Sequence, residues 1–241
     1  MNWGKLYGIG VGPGDPDLLT VKARRILEQI EVLFVPKSTM ERRSVAYAIV
    51  SAALDKQWQC IDVLLPMIQD EALLNQHWRQ GAAEVLKHLR TGRDGAFITL
   101  GDPTLYSTFT YLLKHIKNQA PEVPVEIIPG ISAVNAISAA LQQALAEGDE
   151  NLLITPALLE QENLAQLVDQ FDNIVLMKAG RQIDKICAVL KERGADKQAR
   201  LVSRCGFADA VFSDDVFSIK GQDLDYLSTV IIKNKAGGAS R

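Results

Sequence analysis

One junction constrains this chain more than any other: an apolar run at residues 5–11 leads straight into Gly10-Val11-Gly12-Pro13-Gly14-Asp15-Pro16. A strand that empties into several glycines and prolines must turn at once. The pattern after the turn is helical, with Leu18, Leu19, Val21, Ile26, Leu27 and Ile30 at helical intervals, Asp17 in the N-cap position and Lys22, Arg24 and Arg25 on other faces. Strand, turn and helix open a parallel α/β unit, because a parallel neighbour can be reached only through a crossover.

The unit recurs. Residues 32–36 and 61–65 read as strands around a helix at 44–54, and the longest helical signal runs from Asp70 to Arg90, closed by Gly92. Residues 95–100 form a near-continuous apolar strand that meets Gly101-Asp102-Pro103. A helix at 106–117 follows, then a strand at 125–128 that stops at Pro129-Gly130, and another helix begins near Ser132. Beyond Gly148 the alternation loosens: strands at 152–155, 173–178 and 200–205 are separated by helices at 158–171 and 182–193, whereas 211–212, 216–219 and 229–233 read as short strands with no helix between them. The expected fold class is therefore α/β with two αβα domains, residues 1–128 with a mostly parallel sheet and 129–241 with a mixed one. A length of 241 residues suits two modest domains.

Composition narrows the function. A net charge of −3 argues against a surface devoted to nucleic acid, which needs a basic excess. Cys60, Cys187 and Cys205 are odd in number and far apart, as in a reducing compartment, and no CxxC or HExxH spacing occurs. No apolar stretch approaches the ~20 residues of a membrane span and the N-terminus lacks the pattern of a signal peptide, so a cytoplasmic protein with no membrane partner is expected. His77, His88 and His115 fall within predicted helices without clustered ligands, so no protein-bound metal is expected.

The glycine run invites the dinucleotide fingerprint GxGxxG and fails it in both registers, since the third glycine position holds Pro13 or Asp15. Taken singly, Gly101-Asp102-Pro103 reads as a helix cap by Asp102, and Pro129-Gly130-Ile131-Ser132 as a turn capped by Ser132. Taken together, three loops of one kind at strand ends lie along one edge of one sheet, where open α/β sheets bind ligands.

The order and content of these loops resemble the tetrapyrrole methylases, in which strands ending in VGPGDP, GDP and PGIS build one cofactor cleft between two domains. The resemblance spans almost the whole chain and extends to Leu176-Met177-Lys178 and to residues 226–230. Within the family the chain is most similar to members that methylate C20, the meso carbon of an early corrin-ring precursor in cobalamin biosynthesis; residues 5–18, 97–108 and 175–178 carry that closer match. Leu100 departs from the uroporphyrinogen III methylase members, which usually carry a second glycine there.

The resemblance implies S-adenosylmethionine as methyl donor. It implies Pro13, Leu100, Gly101, Asp102, Leu105, Ser132, Ala133 and Met177, with Ser228 and Thr229, as its contacts, and an orienting role for Asp102 with no general base. It also implies a homodimer and a tetrapyrrole substrate, cobalt-factor II ahead of precorrin-2. Because that substrate carries many carboxylates, Lys37, Ser38, Arg42 and Arg43 after the second strand are expected to bind it, against the alternative of a solvated loop. Methylation at another ring position, a non-catalytic tetrapyrrole carrier and a nicotinamide dehydrogenase are the competing readings.

Overall fold

The structure, a computed structural model, describes residues 2–39, 41, 43–68, 70–158, 160–194 and 199–234. They form two compact units, Met1–Ser132 and Ala133–Arg241.

The first unit contains β1 (Leu6–Gly10), α1 (Val21–Gln29), β2 (Val32–Lys37), α2 (Val45–Ala53), β3 (Gln59–Leu64), α3 (Glu71–Leu89), β4 (Gly95–Thr99), α4 (Phe109–Gln119) and β5 (Val125–Ile128). The five strands are parallel in the order β3-β2-β4-β1-β5. β1 and β4 are neighbours, yet the chain leaves β1 past β4 towards β2 and leaves β4 past β1 towards β5. With right-handed crossovers, departures in opposite directions place the following helices on opposite faces. The core agrees. Leu6, Phe34, Phe97 and Val63 form one cluster with Leu89 of α3 and Phe109, Leu112 and Ile116 of α4, and α2 instead packs on β2 and β4. Gly8 keeps β1 thin under α4, because a Cβ there would lie 2.2 Å from the Phe109 ring.

The second unit contains α5 (Ala133–Ala140), β6 (Leu152–Pro156), α6 (Gln161–Gln170), β7 (Asn173–Met177), α7 (Ile183–Glu192), β8 (Ala199–Ser203), β9 (Val211–Ser213) and β10 (Ser228–Lys233). Its sheet runs β6-β7-β10-β8-β9. β6 and β7 are parallel, and β10 lies antiparallel between β7 and β8. The mixed character thus comes from the late strands, as the missing helices indicate. Both crossovers, β6 to β7 and β7 to β8, travel the same way, so α6 and α7 share one face over Ile174, Leu176, Leu201, Val230 and Ile232.

Three local elements differ from what the sequence predicts. Asp17 does not cap α1: Asp15 caps a short 3-10 turn at Pro16–Leu18, and Thr20 caps α1 by accepting from Ala23 N at 3.2 Å. Two prolines delay the α-helix by one turn. The helix expected from residue 106 begins at Phe109, because Tyr106 takes a left-handed backbone with φ 50°. Val216–Ile219 is a 3-10 turn rather than a strand; Asp215 accepts from Phe217 N at 2.9 Å, and Val216 and Ile219, three apart, are both buried. Asp70 and Gly92 do bound α3, the latter with φ 80°.

Glu126 on β5 ties the start of β1 to α1, with Lys22 Nζ and Lys5 Nζ each 2.6 Å from its carboxylate. The Lys22 hydrogen bond, followed by that of Lys5, lowers its pKa from an ordinary 4.5 to about 2. A depressed carboxylate contributes stability that is present above the unfolded pKa and lost as pH falls through the folded one. Glu126→Gln is therefore expected to flatten the acid side of the stability profile between pH 4.5 and about 2, read as urea midpoints across that range. An unchanged slope would contradict the assignment.

Candidate functional site

The two Gly-Asp-Pro sequences solve the same local problem in the same way. Proline has no N–H to offer, so each aspartate reaches one residue further: Asp15 Oδ1 accepts from Asp17 N at 2.9 Å, and Asp102 Oδ1 accepts from Thr104 N at 2.8 Å. Both loops leave the C-terminal edge of adjacent strands in opposite directions, so their backbones must pass each other there. They do so in contact. Gly101 N donates to Gly12 O at 2.7 Å and Gly12 N to Gly101 O at 3.3 Å, with φ of 69° and 83° at the two glycines.

The third loop closes on the same point. Gly130 N donates to Asp102 Oδ2 at 3.0 Å, so one carboxylate holds its own turn with one oxygen and the loop after β5 with the other. A Cβ on Gly10 would lie 2.5 Å from Gly101 O and 2.7 Å from Gly130 N, and a Cβ on Gly130 would lie 2.3 Å from Gly101 O. Only glycine allows three chains to meet this closely. The loop after β4 is fixed again further on: Thr99 Oγ1 lies 3.0 Å from Ser107 Oγ, which accepts from Phe109 N at 3.2 Å.

Of the sequence candidates in the first unit, Pro13, Gly101 and Ser132 are buried, while Leu100, Asp102 and Leu105 are half-buried. Asp102 does not cap α4, since Thr108 occupies that position. Lys37 ends β2, the strand beside β4, and its ammonium pairs with Asp62 of β3 at 2.7 Å. Ser38 is half-buried and Arg43 exposed just before the α2 cap Ser44; Arg42 lies outside the described residues. In the second unit Ala133 opens α5, and Met177 and Thr229 are register partners across β7 and β10. Ser228 is fully buried, its hydroxyl 2.9 Å from Ser203 Oγ and 2.6 Å from Asp225 O. Met177, Ser228 and Thr229 thus share the edge where β7 and β8 end and β10 begins.

Three features here have no signature in the local sequence. Asp62, the partner of Lys37, shows no local pattern that would reveal it. The second hydrogen bond of Asp102 depends on a residue 28 positions away. Tyr106, exposed and left-handed in the loop after β4, carries no turn signal in its residue type. Among the described residues no group of three or more His, Cys, Asp or Glu is placed to hold a metal ion, and no helix is long and apolar enough to cross a membrane.

Comparison with known proteins gives a consistent picture. The profile of the family described as Tetrapyrrole (Corrin/Porphyrin) Methylases matches residues 5–216. The chain is 41% identical over 233 residues to the probable cobalt-precorrin-2 C(20)-methyltransferase of Methanocaldococcus jannaschii, covering 95% of this chain and 96% of that protein. It is 30% identical over 239 residues to the precorrin-2 C(20)-methyltransferase of a Sinorhizobium species, covering 95% of each. In fold it is similar to the uroporphyrin-III C-methyltransferase of Thermus thermophilus solved in complex with S-adenosylhomocysteine, with a TM-score of 0.67 at 18% identity over 95% of this chain and 92% of that one.

The junction can be probed directly. Gly10→Ala places a methyl group against two backbones that cannot withdraw, and overpacking of this kind lowers stability by about 1–3 kcal/mol. Urea denaturation is expected to show that loss; a variant as stable as the parent would contradict the packing described.

Proposed function

This chain belongs to the tetrapyrrole methylase family, and from that membership we propose that it is an S-adenosylmethionine-dependent methyltransferase acting at C20 of a corrin-ring precursor in cobalamin biosynthesis, with cobalt-factor II as substrate. One observation carries the reading: 41% identity along 95% of the chain with a probable cobalt-precorrin-2 C(20)-methyltransferase. A match at 30% to an enzyme named for the metal-free precursor makes precorrin-2 the alternative substrate.

The residues present fit the methyl donor. Gly10, Gly101 and Gly130 bring three strand-end loops together by backbone packing, and Pro13 and Ser132 beside them in sequence are small. Bound there, the donor would supply a methyl group to a nucleophilic meso carbon by in-line substitution, the thioether leaving with the C–S electrons and the meso carbon shedding its proton.

What the protein contributes is alignment. Near-attack positioning is worth up to about 7–11 kcal/mol in favourable intramolecular cases, so no triad or strong base is required. Asp102 orients indirectly: both carboxylate oxygens are engaged by Thr104 N and Gly130 N, which makes it the brace that fixes two donor-contacting loops relative to each other. Leu100 and Leu105 flank that brace as apolar contacts, and Met177, Thr229, Ser228 and Ala133 are the corresponding contacts from the second unit. Ser38, Arg42 and Arg43 are the substrate-side candidates, and Lys37 acts there together with Asp62. Cobalt enters with the substrate. The active form is a cytoplasmic homodimer, as is usual for the family.

The test is an anaerobic single-turnover reaction with S-adenosylmethionine and factor II, with and without cobalt, read by product mass and by NMR of the methylated carbon. Methyl at C20 only with cobalt is expected. Methyl at C20 of the metal-free form would move the substrate to precorrin-2, and methyl at another carbon would overturn the C20 reading.

A further inference from the structure

Four non-glycine residues among those described have left-handed backbones: Tyr106, Gln142, Lys178 and Arg204. For a side chain with a Cβ this region is sparsely populated, and it persists where the surroundings over-determine it. Lys178 follows the last residue of β7 and Arg204 the last residue of β8, on the edge that also carries Ser228 and Thr229.

Lys178, with φ 59°, is pinned on both sides. Ala157 N donates to Met177 O at 2.7 Å and Ala179 N to Ser228 O at 2.8 Å. Gly180 lies so close to the next loop that a Cβ would stand 2.3 Å from Asp225 O. The fold therefore dictates where the lysine side chain leaves the backbone. Its ammonium sits 5.3 Å from the centre of the Tyr226 ring, which is 39% exposed. A cation over an aromatic face is attracted to it and keeps its hydrogen-bond donors for other partners.

The two cations on this edge differ in one respect. Arg204 is engaged by Asp209 at 2.8 Å and Asp225 at 3.4 Å, which neutralises it. Lys178 is paired with no carboxylate among the described residues. A turn that needed only this backbone shape would be served better by glycine. A lysine that is held left-handed, steered onto a tyrosine and without a counter-ion among the described residues is prepared for an anion from outside.

We propose that Lys178 is a substrate-binding residue that receives a carboxylate of the methyl acceptor, with Tyr226 holding its ammonium in place. The assignment rests on the tetrapyrrole reading above and adds a residue to it. The acceptor's rim of acetates and propionates supplies the anion, and a chain of net charge −3 needs a local cation to attract it.

The test uses Lys178→Gly, Lys178→Gln and Lys178→Arg, with uroporphyrin III as a stable polycarboxylate tetrapyrrole probe followed by fluorescence quenching. Binding of S-adenosylhomocysteine by calorimetry and thermal melting are measured on the same preparations. Lys178→Gly suits the backbone and is expected to melt at or above the parent, to bind S-adenosylhomocysteine as the parent does, and to bind uroporphyrin III about tenfold more weakly, the loss of one charge-assisted contact. Lys178→Gln should lose a similar factor, and Lys178→Arg should stay within about threefold, keeping the charge in a different shape. Parental affinity of Lys178→Gly for uroporphyrin III would overturn the proposal. So would an equal loss of S-adenosylhomocysteine binding, or a parent protein that does not bind the porphyrin. Methylation at a carbon other than C20 would defeat the C20 reading and leave this assignment standing, because the latter is read from binding.

Discussion

Everything in the first unit is arranged around a contact with no side chain in it. β1 and β4 lie side by side, and their connections leave in opposite directions, so two loops must pass over the same strand ends. They pass as backbone against backbone, Gly12 with Gly101 in two hydrogen bonds, and Gly130 fits against them from the third loop. The topology requires the crossing, and the crossing requires glycine. That relation explains why the glycines concentrate at strand ends that are distant in sequence and adjacent in the sheet.

The same junction explains how a single carboxylate governs a surface. Asp102 sits between a glycine and a proline, a setting that places one of its oxygens over Thr104 N and leaves the other for Gly130. Loops that carry ligand contacts are mobile by default. The loops after β4 and β5 are braced by a charge-assisted hydrogen bond at one point, and the loop after β4 again by Ser107 and Thr99. On the proposed function, whose main demand is alignment, loops held this way suit the task. In the second unit the same end is met differently, through antiparallel insertion of β10 beside β7, which brings Thr229 level with Met177.

Much of this was legible in the residues. The alternation of apolar runs and helical periods gave the strand order its parallel character, and Asp70 and Gly92 announced the ends of α3 because capping chemistry is local. What failed was what depends on more than one neighbour. Asp17 looked like a cap until two prolines forced a 3-10 turn ahead of α1, and Val216 and Ile219 looked like a strand because two apolar residues three apart fit either pattern over so short a span. The loops were legible as a set, yet the brace between Asp102 and Gly130 was not, since only the sheet brings those residues together. Asp62, which β3 sets beside Lys37, has no signature in the local sequence either.

Hydrogen–deuterium exchange with and without S-adenosylhomocysteine tests whether the three-glycine junction holds the methyl donor. The ligand is expected to slow exchange in the segments around residues 10–16, 100–107 and 130–133, with smaller effects near 177–180 and 228–229. Tight binding that leaves the first three segments unprotected, or protection confined to other loops, would contradict it.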